Sequence, residues 1–168
     1  DSLAAKIADL EAAAAVEALI IALPAVIDLT LDDKGAVETA REAYEGLTPA
    51  RQALVEKLNV LEAAEAKIKN LQAEADASAF KTTHAAVLAK TVGNIAISDK
   101  NNVTAALTAY ESLSAETKAK LAAEKALLDD LAAKIVDIEA AELAAAKVSA
   151  GALAEADYTP ESWSILTA

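Results

Sequence analysis

Hydrophobic residues recur at helical spacing along most of this chain. Val37, Ala40, Tyr44 and Leu47 lie three or four residues apart, which places them on one face of a helix. The pattern predicts a short helix over about 34–46, and its repetition predicts another over about 100–112. A longer apolar stripe follows each short helix and predicts a long helix. The stripe contains Leu54, Leu58, Leu61, Ala64, Ile68, Leu71 and Ala75 in the first copy, and Leu121, Leu128, Leu131, Ile135 and Ile138 in the second.

Two phrases alternate along the sequence. LDDKGAVETAREAYEGLTPARQALV at 31–55 returns as ISDKNNVTAALTAYESLSAETKAKL at 97–121. AKIADLEAA at 5–13 returns as AKIKNLQAE at 66–74 and as AKIVDIEAA at 133–141. Spacings of 61 and 67 residues between the AKI phrases are longer than those of two-helix repeats and indicate a unit of three helices.

The junction between the two units is predicted to be helical. Neither glycine nor proline occurs from Ala50 to Val92, so one helix of about 43 residues, about 65 Å long, could serve both units. A break near Asp76-Ala77-Ser78 is the alternative. We expect an all-α fold of tandem three-helix bundles, spectrin-like, with the long helix shared. The predicted domains are 1–76 (with 1–14 continuing from a preceding helix), 77–150, and a linker with a truncated further module at 151–168.

Capping residues and connections complete the local prediction. Asp33 and Asp99, or their neighbours Asp32 and Ser98, are candidate N-caps of the short helices. Thr48-Pro49 has the form of an N-cap followed by proline at the first helical position. In the connections 24–32 and 93–98, apolar residues alternate as in an extended segment that covers the end of a bundle. A short β-contact is the alternative there. The alternating residues are Ile27, Leu29, Leu31, Ile95 and Ile97.

The composition agrees with an all-helical fold. The chain has 168 residues, with 46 alanines but only four glycines and three prolines, and alanine is the best helix former. A net charge of −12 argues against nucleic acid and anionic lipid as partners. Carboxylates and lysines are interspersed at i,i+4 spacing, which indicates solvated helix faces. The predicted pairs are Glu65–Lys69, Glu116–Lys120 and Asp130–Lys134.

No cysteine is present, which excludes disulfides and thiolate chemistry. A chain without cysteine is compatible with an exported bacterial protein and with many cytosolic proteins. The strongest apolar run, ALIIALPAVI at 18–27, is interrupted by Pro24 and is shorter than a membrane span. The chain opens at Asp1 and contains no methionine, so we expect it to be an excerpt from a longer protein.

Candidates for chemistry are few, and we predict no catalytic, cofactor-binding or metal site and no cofactor. His84 is the only histidine and lies at the edge of an apolar stripe, so we expect it to be packed rather than catalytic. The acidic pairs 32–33 and 129–130 lack the glycine-centred calcium loop and are expected to cap helices or face solvent. Tyr44 and Tyr110 match by position, and their helical phase predicts packing in a seam rather than ligand binding.

The phrase at 31–55 and its copy at 97–121 are called DK…Y…L phrases, after Asp33, Lys34, Tyr44 and Leu47 of the first copy. The first DK…Y…L phrase resembles helical repeats of large surface proteins of Gram-positive bacteria. YTPESWSIL at 158–166, with a new helix start at Thr159-Pro160 and Trp163 one turn later, is similar to the start of a FIVAR module. The resemblance covers about 15–142 as repeats. It is carried by Asp33, Lys34, Ala36, Val37, Ala40, Ala43, Tyr44, Leu47, Thr48, Pro49, Gln52, Ala53, Leu54 and Val55.

This resemblance implies an extracellular setting, at the cell surface or cell wall, with neighbouring repeats of the same parent protein as partners and no catalysis by this segment. We therefore expect a non-catalytic spacer or stalk module. The alternatives are an adhesin-type module that recognises a host protein or glycan and, third, an enzyme. The residues expected to hold the units together are Val37, Tyr44, Leu47, Leu54, Leu58, Leu61 and Ile68 in the first, and Val103, Tyr110, Leu113, Leu128, Leu131 and Ile135 in the second.

Overall fold

The structure is a computed structural model that describes residues 2–156, with side chains to residue 149. The described part is all-α and contains no strand, which confirms the predicted fold class at that level. Short 3-10 turns at Leu31–Asp33 and Ile97–Asp99 precede the second and sixth helices. The helices are α1 (Leu3–Ala22), α2 (Lys34–Glu45), α3 (Pro49–Gln52), α4 (Leu58–Thr83), α5 (Ala85–Leu88), α6 (Lys100–Glu111), α7 (Ala115–Lys120) and α8 (Ala122–Ala156).

The chain divides into two compact units. Among the described residues, the first contains 2–78 and 114–120, and the second contains 79–113 and 121–156. The first division falls inside α4, between Ser78 and Ala79. This one helix therefore contributes residues to each of the two units.

The core of the first unit is built from α1, α2 and α4. Ala13, Val16 and Ile20 lie three or four residues apart on α1 and are buried. They pack in one cluster with Val37 and Ala40 of α2. The other buried members are Leu29, Val55, Leu61, Ala64 and Ile68, and the half-buried Tyr44 and Leu47 pack against the cluster.

The second unit repeats this arrangement with α6 and α8. Val103 and Ala106 are buried on α6, which packs against α8. Both short helices, α2 and α6, lie within one residue of their predicted bounds, which confirms the prediction from the repeated phrase. On α8 the buried residues are Leu128, Leu131 and Ile135, and Leu121 is buried just before that helix.

The 43-residue helix predicted over 50–92 is wrong. Three helical segments, α3, α4 and α5, occupy this range and are separated by residues 53–57 and by His84. A tertiary contact holds the first interruption, because the Glu56 amide donates to Glu17 Oε1 of α1 at 2.7 Å. The predicted alternative, a break near Asp76-Ala77-Ser78, is also wrong, because these residues lie inside α4.

Leu54 is the one predicted core position that this interruption moves to the surface. In an uninterrupted helix Leu54 would share the face of Leu58 and Leu61, but the turn exposes it and buries Val55 instead. Val55 and Leu121 are 66 residues apart, and both are buried, so the two repeats use the same position here.

The predicted capping by the aspartates takes a different form. Asp33 precedes α2, but its Oδ2 accepts from the Thr30 amide at 2.8 Å and from the Thr30 hydroxyl at 2.9 Å, rather than from the first turn of α2. Asp99 accepts in the same way from the Ala96 amide at 3.0 Å. Each aspartate therefore fixes the 3-10 turn that leads into the helix.

The connections between helices form turns rather than the predicted extended segments. Residues 26–28 and 92–94 are turns, and each is followed by one of the 3-10 turns. Leu29 and Ile95 occupy equivalent positions and are buried, whereas Ile27 is exposed. The alternating apolar residues therefore do not form one extended buried face. Each connection buries one of them, Leu29 in the first and Ile95 in the second.

Ion pairs between helices replace two of the predicted i,i+4 pairs. Glu65 binds Arg41 of α2, whereas Lys69 of α4 binds Glu116 of α7. Lys120 binds Glu74 at 3.2 Å rather than Glu116. Side chains of this length reach a neighbouring helix as easily as the next turn, so spacing along the sequence does not select the partner.

The predicted linker and truncated module fall mostly outside the described residues. α8 continues through Gly151 to Ala156. Thr159, Pro160 and Trp163, which carry the resemblance to a FIVAR module, lie beyond the described part of the chain.

Candidate functional site

A concave groove of about 340 Å³ is present in the first unit. It lies between α2, α4 and α7, and Val37, Ile68 and Ala73 form its apolar part. Val37 and Ile68 are on the predicted helix faces, but the sequence pattern does not predict the groove. The polar residues around it are Lys34, Glu38, Glu65, Lys69, Gln72, Asp76, Ser114 and Glu116.

Two ion pairs form among the charged residues around this groove. Lys69 Nζ lies 2.5 Å from Glu116 Oε1 and joins α4 to α7. This hydrogen bond holds the pKa of Glu116 below its usual value. Lys34 lies 3.7 Å from Glu38, one turn along α2. Charges that neutralise each other in this way offer little net field to a charged ligand.

Arg41 and Glu65 form the most specific contact beside the groove. Arg41 Nε and one terminal nitrogen donate to the two carboxylate oxygens of Glu65 at 2.5 and 2.6 Å, a bidentate pair. The hydrogen bond to Glu65 raises the pKa of Arg41 despite the opposing effect of burial. The Arg41 guanidinium also lies 5.3 Å from the centre of the Tyr44 ring, so it contacts both the carboxylate and the aromatic ring.

The hydroxyl group at the groove acts as a helix cap. Ser114 Oγ accepts from the Thr117 amide at 3.1 Å and lies 2.9 Å from the Thr117 hydroxyl. Thr117 is fully buried, and this contact provides its hydroxyl with a partner. A serine used in this way orders the first turn of α7, and no histidine lines the groove to activate it as a nucleophile.

His84 lies in the second unit, at the end of α4. It is half-buried, and its ring centre lies 4.7 Å from that of Phe80. A shallow cavity of about 260 Å³ beside it is lined by Thr83, Ala86, Val87, Asn102 and Ala105, none of which carries a carboxylate. The structure therefore confirms the predicted packed environment of His84.

The two matched tyrosines are half-buried, as their helical phase predicts. Tyr44 packs against the core cluster of the first unit. Tyr110 makes an edge-to-face contact with Phe80, with ring centres 6.3 Å apart, and Lys125 Nζ lies 5.7 Å from the Tyr110 ring. Both rings pack across helices within their own unit.

One aspartate of each acidic pair is engaged by a neighbouring side chain. Asp33 is engaged with Thr30, and both oxygens of Asp129 accept from Lys125 Nζ at 2.8 Å. Across residues 2–149, no three metal-ligating side chains come together. No helix in that part of the chain has the length and hydropathy needed to cross a membrane.

Comparison with known protein families, with curated proteins and with solved structures found no match to this chain. The candidate site therefore rests on its own geometry: an apolar groove with a polar rim whose charges are satisfied within the protein.

A partly exposed ion pair of the second unit gives a testable pH dependence. Lys81 Nζ lies 2.7 Å from Glu124 Oε1, and this hydrogen bond lowers the pKa of Glu124. A carboxyl whose pKa is lower in the folded state stabilises the protein above its unfolded pKa of about 4.3, and this stabilisation disappears as the pH falls through the folded pKa.

We therefore expect Glu124→Gln to reduce the free energy of unfolding at pH 7 by up to about 1 kcal/mol, and the difference from the natural chain to shrink as the pH falls below about 4.3 and through the lowered folded pKa. Urea unfolding between pH 3 and pH 7 measures it. Asp130→Asn, at an exposed position of the same helix, controls for the loss of one negative charge. A difference that stays constant across this range contradicts the assignment.

Proposed function

We propose that this chain is a non-catalytic spacer module, built from tandem three-helix units that share a helix in the manner of spectrin repeats. The observation that carries the proposal is that α4 contains the last residues of the first unit and the first residues of the second. Bending a helix at such a junction breaks backbone hydrogen bonds, so a shared helix resists flexing where a loop would not.

The repeated sequence supports the same role. Two DK…Y…L phrases become equivalent helices, α2 and α6, and most of the apolar positions that they share are buried or half-buried, including Val37, Val103 and Tyr44. Repetition at these positions preserves the helical packing of each unit, as a spacer requires. We place it in a secreted or wall-anchored bacterial surface protein, on the resemblance of its DK…Y…L phrase to repeats of such proteins.

A pair of spin labels tests the spacer. The chain has no cysteine, so Glu42→Cys and Thr108→Cys introduce the only two thiols, one at an exposed position in each unit. Pulsed electron spin resonance is expected to give a narrow distribution of distances between the two labels. Thr108→Cys with Ala141→Cys, both exposed and both in the second unit, provides the width expected for a rigid pair. A much broader distribution between the units would falsify the spacer.

The second candidate is an adhesin-type binding module, favoured by the groove of about 340 Å³ in the first unit. Its apolar part could receive a small apolar group of a host protein or glycan. A broad inter-unit distribution in the spin-label experiment would favour this function over the spacer, because binding by one unit does not require a rigid junction.

A further inference from the structure

The three copies of the AKI phrase lie on three helices, α1, α4 and α8, and the structure allows their faces to be compared position by position. Ile7, Ile68 and Ile135 occupy the same place in the phrase. Ile68 and Ile135 are 6% and 2% exposed, whereas Ile7 is 47% exposed. The neighbouring positions follow the same division, because Ala64 and Leu131 are buried but Leu3 is exposed.

A short helix of the DK…Y…L type covers this face in the second and third copies. Ala64 and Ile68 of α4 belong to the same buried cluster as Val37 and Ala40 of α2. In the second unit, α6 packs against α8, Ile135 of α8 is buried, and Lys100 of α6 binds Glu139 one turn further along α8.

The corresponding face of α1 consists of Leu3, Ile7 and Leu10, all exposed and one helical turn apart. The helix itself is anchored further along the chain, because Ala13, Val16 and Ile20 are buried in the core of the first unit. The exposed face is thus a regular surface on a packed helix.

A charged residue completes the comparison. In the third copy, Glu139 Oε1 accepts from Lys100 Nζ at 2.6 Å, and Lys100 is the lysine of the DK motif at the start of α6. Glu11 occupies the position of Glu139 in the first copy and is exposed. The α1 face therefore carries both the apolar residues and the carboxylate that a DK…Y…L helix contacts in the third copy.

We propose that the Leu3–Ile7–Leu10 face of α1 is a docking site for a DK…Y…L helix supplied by a further copy of this repeat. The proposal rests on the spacer function and names the partner of the spacer as a further copy of the same repeat unit. Docking would bury the three apolar side chains and bring the lysine of the incoming motif to Glu11.

A fusion protein tests this docking. Residues 79–132 are placed directly before residue 5, so that Leu131 takes the position of Leu3, the AKI register of α8 continues into α1 and an added short helix precedes it. Because the chain lacks cysteine, single cysteines report exposure through their alkylation rates. In the natural chain, Ile7→Cys is expected to react rapidly and Ile135→Cys slowly.

In the fusion, alkylation of Ile7→Cys is expected to slow by roughly tenfold or more, towards the rate of Ile135→Cys. Ile21→Cys, at an exposed position of α1 outside the phrase, is the matched control and should react equally fast in both proteins. An Ile7→Cys rate that is the same in the natural chain and the fusion overturns the proposal.

A cysteine at Val103 of the added copy shows whether that copy has formed its core. Rapid alkylation there means that the added helix does not dock, which also overturns the proposal. The spin-label distances in the natural chain test the spacer separately. A narrow distribution of label distances, together with an Ile7→Cys rate that the fusion does not slow, would retain the spacer and reject this docking site. A broad distribution of label distances, together with slowed alkylation of Ile7→Cys in the fusion, would reject the spacer and retain the docking site.

Discussion

Replacement of Leu61 by alanine is expected to lower the free energy of unfolding by about 2–5 kcal/mol. Leu61 lies on α4, is 0% exposed and belongs to the core cluster formed with α1 and α2. Truncation removes apolar contacts and leaves a cavity that the surrounding helices fill only in part. Urea unfolding followed by circular dichroism measures the loss as a lower midpoint with an unchanged slope.

Leu54→Ala is the matched control for this prediction. Both leucines belong to the stripe that the sequence assigns to one helix, but Leu54 is 40% exposed because the chain turns at residues 53–57. We expect Leu54→Ala to cost less than about 1 kcal/mol. Equal costs at the two positions would show that Leu54 is buried and that the uninterrupted helix is correct after all.

Proline at Ala75 is expected to destabilise the chain by about 3 kcal/mol or more, which corresponds to a fall in Tm of roughly 6–12 °C for a chain of this size. Ala75 is exposed and lies inside α4, so the effect comes from the backbone. Proline removes one hydrogen bond of the helix and clashes with the carbonyl of Leu71. The distribution of distances between labels at Glu42 and Thr108 should also broaden.

Ala115→Pro is the control for the chemistry of proline itself. Ala115 begins α7, and the first repeat carries Pro49 at the equivalent position, after Thr48 in extended backbone. Proline at a first helical position loses no hydrogen bond, so we expect a change between zero and a gain of about 1 kcal/mol. If Ala75→Pro left both Tm and the label distances unchanged, α4 would not couple the two units.

The ion pairs between helices contribute little to the free energy of unfolding. Most of the side chains involved are partly exposed, including Lys69 and Glu74, and such pairs contribute about 0–1 kcal/mol each. Their larger effect is on specificity, because they select which faces of these alanine-rich helices meet.

The sequence predicted much of the fold because helical periodicity is a local property. The faces of α2 and α6 followed from Val37, Tyr44, Val103 and Tyr110, whose spacing is independent of the rest of the chain. The packed environment of His84 followed in the same way from its phase with Phe80 and Val87. The groove between α2, α4 and α7 did not, because a concave surface depends on how far apart the helices pack.

The amino-acid sequence by itself determined the all-α class, the repeat and the positions of most buried side chains, since each depends on spacing along one helix. Only the tertiary structure decided where the long helix predicted over 50–92 is interrupted. The interruption at residues 53–57 contains neither glycine nor proline, and it is held by burial of Val55 and by the bond from Glu56 to Glu17. The partners of Glu65 and Lys69 were likewise decided by neighbouring helices, because a charged side chain binds whichever opposite charge the fold brings nearest.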